Sequence, residues 1–192
     1  MRLQQYLNED IVKERIELIE KNCQPFLKQM KSVNFKNGDL LYSGRKSSDE
    51  FNKKRVRKDR NPTDTPIKFH NWLDDWFYKK FGIRARSNSV FCTGDTDVIE
   101  TYGNQYVIFP IGKFKIIWNS QLKDLFNIVH FDYGIEHWIE EFLKKSKTYK
   151  TGDLQGAIKS KNEIMLHCKE YYILEFQSST NAMVLNHFME TL

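Results

Sequence analysis

The sequence predicts a single α+β domain of 192 residues, and three observations lead there. Segments with apolar residues at three- and four-residue steps mark helices, and short apolar runs bounded by turn residues mark strands. No internal repeat or low-complexity linker divides the chain, which is long enough for one sizeable core. Aromatic residues make up 14% of it, with 14 Phe, 9 Tyr and 4 Trp, which suits a strand-rich interior. Residues 1–36 read as an N-terminal helical segment and residues 39–176 as the core that follows.

The elements follow in order. Ile11, Val12, Ile16 and Ile19 recur at helical spacing over residues 8–22, with Asn8 as N-cap. Pro25 interrupts that helix, and Phe26, Leu27 and Met30 continue as a shorter one. Asn37-Gly38 marks a turn before a short strand over residues 39–45. The basic stretch that follows holds Lys46, Lys53, Lys54, Arg55, Arg57, Lys58 and Arg60. It reads as a solvated loop rather than a nucleic-acid patch, because only Phe51 is interleaved to stack a base. Thr65-Pro66 opens a helix, with Thr65 as N-cap and Pro66 at the first helical position. Phe69, Trp72, Leu73, Trp76 and Phe77 form its buried stripe, His70 flanks the stripe as a structural or exposed residue, and Gly82 ends it.

Residues 86–110 read as strand, tight polar turn, short helix ending in Tyr102-Gly103, and a second strand. The turn, Thr93-Gly94-Asp95, offers polar groups to a ligand. Residues 106–118 form one long strand, or two broken at Pro110-Ile111-Gly112. A short helix fits near residues 122–126. A longer one covers 134–145, with Ile135, Trp138, Ile139 and Phe142 on one face. Residues 147–156 look loop-like, residues 162–176 look like a hairpin turning at 167–170, and a last short helix begins near Asn181.

Formal net charge is +5 and the isoelectric point about 9.0, which permits a nucleic-acid or nucleotide partner without requiring one. Cys23, Cys92 and Cys168 lack metal or disulfide spacing, so a reduced, cytoplasmic setting and no metal are expected. No signal peptide is legible, and no stretch approaches the roughly 20 apolar residues of a membrane span.

Three separated segments end in polar groups that an apolar core would not want: Tyr42-Ser43-Gly44-Arg45, Phe91-Cys92-Thr93 with Tyr102 beyond it, and Asn162-Glu163. An arginine offers a fork of donors to a diphosphate. A hydroxyl can hold a carboxylate in one orientation, and a carboxylate can stabilise positive charge developing on a sugar ring. Arg86 is a second candidate for phosphate contact. Each also has a structural account: a surface charge for Glu163 and Arg86, the basic loop for Arg45, a cap for Thr93, and a packed helix end for Tyr102.

In this order the segments resemble the ADP-ribosyltransferase superfamily of the Arg–Ser–Glu class, most closely the small mono-ADP-ribosyltransferases of tailed phages. Leu41-Tyr42-Ser43-Gly44-Arg45 stands where that family ends its first core strand in an arginine. Phe91-Cys92-Thr93 stands at its hydroxyl turn, and Tyr102 at the aromatic of its short helix. Lys161-Asn162-Glu163-Ile164-Met165-Leu166 stands where the catalytic glutamate opens a late strand. The blocks span most of residues 40–175. Ser43 occupies the family arginine's place with Arg45 two residues on. Phe91 replaces the first hydroxyl, with Ser89 two residues upstream, and Lys161 replaces the first glutamate of the Glu-x-Glu pattern.

The resemblance implies a split β-sandwich with flanking helices and NAD, as substrate, in a cleft between two core sheets. Residues 39–176 become the catalytic core, with Glu163, Arg45 and Thr93 catalytic. Arg45, Arg86, Ser89, Phe91, Thr93 and Tyr102 would contact NAD, and Thr93 would orient Glu163. ADP-ribose would pass to a macromolecular acceptor, protein or nucleic acid, in the host cytoplasm if the gene is a phage's. Alternatives are an NAD glycohydrolase or RNA 2′-phosphotransferase on the same fold, or a non-enzymatic basic nucleic-acid-binding protein.

Overall fold

A computed structural model describes residues 2–32, 39–60, 62, 65–128 and 132–192. The chain opens with α1 (Arg2–Asn22) and α2 (Gln24–Ser32). Asn8 lies inside α1 and caps nothing. The break falls at Cys23, whose amide still donates to the Ile19 carbonyl at 2.8 Å, and Pro25 sits just after it in the first turn of α2, where its missing N–H costs little. The expected turn at Asn37-Gly38 lies outside the described residues.

Next come β1 (Tyr42–Arg45), β2 (Phe51–Arg55) and α3 (Ile67–Phe81). β2 corrects the expectation of a solvated loop. Its Phe51, Lys53 and Arg55 share one face of the strand; Phe51 stacks on Tyr172 at 5.1 Å while the two cations stay exposed, so a charged rim disguised a strand. The cap of α3 is Pro66 in an extended conformation, without a side-chain hydrogen bond, rather than Thr65. Gly82 closes the helix in the left-handed region, φ 75°, donating to the Tyr78 carbonyl.

Then follow β3 (Val90–Cys92), α4 (Thr96–Ile99) with a 3-10 turn over Glu100–Tyr102, and β4 (Asn104–Asn119). The helix expected near 122–126 is a 3-10 turn, Leu125–Ile128. α5 (Ile135–Lys145) matches expectation, whereas the loop expected over 147–156 holds β5 (Tyr149–Thr151) and the start of α6 (Leu154–Ser160). These two are short and lack apolar periodicity. β6 (Ile164–Glu175) is one unbroken strand, not a hairpin, and α7 (Ser179–Thr191) follows it. The polar run of His167 to Glu170 stays in the ladder because it pairs with β4 around a bulge between Ile111 and Phe114. There Gly112 takes φ +67°.

All pairings are antiparallel. The sheet runs β1-β4-β6-β2, with β3 added to the first half of β6 and β5 to the second half of β4. The six strands thus belong to one open hydrogen-bonded sheet, where the resemblance implies two. One isolated bridge, Tyr42 to Thr93, ties β1 to the end of β3.

Strand alternation assigns the faces. Ile116, Trp118, Ile164 and Leu166 join a core with residues of α1, α2, α6 and α7. Ile117 and Met165 point oppositely, into an aromatic core of Phe69, Phe77, Trp138, Phe142 and Tyr149 supplied mainly by α3 and α5. The aromatic stripe of α3 is core, as its spacing indicates.

Candidate functional site

A cavity of 980 Å³ opens among β1, β2, β3, the 3-10 turn at Tyr102 and the start of β6. All seven residues singled out in the sequence, Arg45, Arg86, Ser89, Phe91, Thr93, Tyr102 and Glu163, line it. They come from three blocks far apart in the chain.

Glu163 stands one residue before β6, where its amide donates to the Lys123 carbonyl at 2.8 Å. Its side chain is 18% exposed, and Oε1 accepts from Arg86 Nη1 at 2.8 Å. Burial raises the Glu163 pKa above the ordinary glutamate range. Arg86 partly offsets that rise, and Asp124 adds to it. The carboxylate is neither a solvent-facing charge nor a free one.

The loop carrying Arg86 is held from beneath. Asp74, buried on α3, accepts from the backbone amides of Arg86 at 2.8 Å and Ser87 at 3.2 Å, and from the Ser87 hydroxyl. His70 is buried too, with Nε2 at 3.1 Å from Ser87 Oγ, and burial lowers its pKa. Neither residue's positioning task was legible, because it depends on a helix face meeting a loop.

Phe91, where the resemblance implies a hydroxyl, packs against two arginines instead. The guanidinium carbons of Arg60 and Arg86 lie 4.1 and 4.4 Å from its ring centroid. Arg60 belongs to the stretch whose composition suggests a solvated loop, yet it lines the cavity and is partly buried. Burial first and Arg86 second lower its pKa. Arg45 packs over Tyr171 at 5.0 Å, so Arg86 and not Arg45 is the partner of Glu163.

The turn 93–95 is mainly structural. Thr93 Oγ1 donates to the Lys161 carbonyl at 3.1 Å and accepts from the Asp95 amide at 3.0 Å, with no bond to the Glu163 carboxylate. A Cβ at Gly94 would lie 2.1 Å from the Ile158 carbonyl, so this glycine lets the turn press against α6. Asp95 caps α4 through the Asp97 amide. Thr93 therefore reaches Glu163 indirectly, through the backbone that precedes it. Lys161 itself takes φ +57°, a left-handed cap of α6 occupied by a non-glycine residue. Tyr102 leaves 54% of its surface exposed at the cavity wall.

Among the described residues, five buried side-chain polar atoms lack a hydrogen-bond partner: Arg45 Nε, His70 Nδ1, Arg86 Nε, Asn88 Oδ1 and Ser89 Oγ. Four belong to residues lining this cavity. Leaving such a group unpaired costs about 1–3 kcal/mol, so their concentration here marks a ligand or water site. The chemistry on offer is a set of guanidinium donors beside two carboxylates, Asp124 and the arginine-paired Glu163, with aromatic walls. That combination suits a phosphate-bearing ligand with a polar ring.

Among the described residues, no group of three or more His, Cys, Asp or Glu side chains is arranged to hold a metal ion, and no helix is long and apolar enough to cross a membrane. No protein-family model, curated protein or solved structure matches the chain.

Proposed function

We propose that the chain is an NAD-dependent mono-ADP-ribosyltransferase that passes ADP-ribose to a macromolecular acceptor and releases nicotinamide. The observation that carries this reading is the convergence of the three family-ordered blocks on one cavity, with Glu163 in its wall and unpartnered arginine nitrogens beside it. Guanidinium groups suit a diphosphate, and a carboxylate suits the ribose hydroxyls. The finer architecture that this reading implies is the family's split β-sandwich.

In the proposed reaction the bond between ribose C1′ and the nicotinamide nitrogen breaks, and its electron pair leaves with nicotinamide. The ribose becomes oxocarbenium-like, and Glu163 stabilises that charge through its carboxylate and the ribose hydroxyls. A nucleophile of the acceptor then bonds to C1′ and gives up its proton to solvent. Arg45, Arg60 and Arg86 hold the diphosphate, Tyr102 and Phe91 supply ring contacts, and Ser89 supplies a hydroxyl. Thr93 is a positioning residue that fixes the Lys161 carbonyl ahead of Glu163.

Radiolabelled NAD incubated with a cell lysate tests this, wild type beside Glu163→Gln. The amide keeps the shape of the side chain and an acceptor for Arg86 but loses the charge. Transfer by wild type and a fall of about 100-fold or more in the variant are expected. Equal transfer by the two proteins would end the assignment of Glu163. Free ADP-ribose as the only product would select the glycohydrolase. The excess of arginines over carboxylates favours, as second reading, an RNA 2′-phosphotransferase, in which phosphate is the reacting group. NAD-dependent transfer of a 2′-phosphate from RNA to the ADP-ribose moiety, with nicotinamide released, would select it.

A further inference from the structure

The wall of this cavity is rich in positive charge. Nine of its 30 lysines and arginines line the cavity, against two of its 25 carboxylates, Asp124 and Glu163. Three of the nine, Lys54, Arg55 and Lys123, pair with Asp49, Glu170 and Asp95 beside the lining, so the wall and its immediate partners carry a net +4. NAD needs far less. Its diphosphate is partly offset by the cationic nicotinamide ring, and Arg45, Arg60 and Arg86 already suffice to cradle it.

The surplus lies on the outside. Lys46, Arg57 and Lys161 line the cavity, are exposed, and have no carboxylate partner among the described residues. They come from three elements: the residue after β1, the residues after β2, and the cap of α6. β2 lies at one end of the sheet path and carries Lys53 and Arg55 on its exposed side, where both pair with Glu170 across solvent. Such exposed pairs are weak and yield readily to a phosphate.

Resting on the transferase reading, we infer that the acceptor is a single-stranded nucleic acid whose backbone lies across Lys46, Arg57 and Lys161 while one nucleotide enters the cavity. The basic stretch 46–60 alone lacks a stacking platform, but the fold supplies one from elsewhere: the Tyr102 ring, half-exposed at the cavity wall, can meet a base, whereas the Phe91 ring is already flanked by Arg60 and Arg86. An acidic peptide would satisfy the charges but brings no flat ring to Tyr102. A concave cavity admits an unpaired nucleotide, whereas a duplex would have to flip one out.

The test measures binding of fluorescent single-stranded DNA and RNA oligonucleotides of about 12 nucleotides without NAD. Salt is varied between about 50 and 200 mM, and a polyglutamate peptide competes. The Lys46→Ala, Arg57→Ala, Lys161→Ala triple variant is compared with wild type, its fold checked by circular dichroism. Wild type is expected to bind. The variant should bind at least about tenfold more weakly, with a salt slope shallower by about 2, from roughly 0.7 per lost phosphate contact. DNA against RNA in the two arms identifies the strand. Absent binding, binding indifferent to the substitutions, or stronger competition by polyglutamate than by oligonucleotide overturns the inference. With labelled NAD and lysate, label removed by nuclease supports it, and label removed only by protease overturns it while leaving the transferase intact. Oligonucleotide binding without any NAD consumption overturns the transferase reading and with it the acceptor role.

Discussion

The pair Arg86–Glu163 concentrates opposing effects on one carboxylate. Burial favours its protonated form, the guanidinium at 2.8 Å favours its ionised form, and burial is the larger effect. Because the folded pKa lies above the unfolded one, the native state holds its proton longer as pH rises. Stability contributed by Glu163 is then present below the ordinary glutamate range and is lost as pH rises through the raised value. Urea denaturation of wild type and Glu163→Gln between roughly pH 4 and 7 reads this directly. The stability of wild type relative to the variant should decline with rising pH. A relative stability that rises instead would mean that the ion pair outweighs burial.

At the scale of elements, Gly94 couples the turn after β3 to α6. Ala at this position would put a methyl against the Ile158 carbonyl, which is backbone and cannot swing aside. Gly94→Ala should cost about 1–3 kcal/mol in chemical denaturation. Since α6 is capped by Lys161, two residues before Glu163, transfer activity should fall beyond what the lost stability explains. The same comparison measures what could be read from sequence. α3 and α5 were legible because each buries one face at helical spacing, and Arg45, Thr93 and Glu163 because polar groups at strand ends stand out. β2 is hidden by its exposed cations, and β6 reads as a hairpin because its central residues are polar on a strand whose partner bulges to receive them. Arg60, Asp74 and the Arg86–Glu163 pair depend on contacts between distant elements, which no local pattern encodes.

Across the whole molecule, the three cysteines report on integrity. Cys23, Cys92 and Cys168 are all buried in the core shared by α1, α2, α6 and α7, and burial pushes the Cys23 and Cys168 thiols up to about 12 and Cys92 up as well. A thiol reagent at neutral pH should find none of them in the native protein and all three in denaturant. Labelling that precedes the loss of tryptophan signal would reveal an opening confined to that core.

The place of β6 also has a consequence in time. It is the last strand of the chain, yet β2, β3 and β4 all pair with it, and β4 and β5, though successive, are separated by residues 120–148. No two neighbouring strands are joined by a tight turn, so every ladder closes a long loop, the arrangement associated with slow folding. During synthesis β2 waits for β6 while about 120 further residues are added, on the order of ten seconds at ordinary elongation rates. Throughout that interval the edges of β2, β3 and β4 lack their common partner. The exposed lysines and arginines of β2 then act as gatekeepers against pairing with other chains, before they have any ligand to hold.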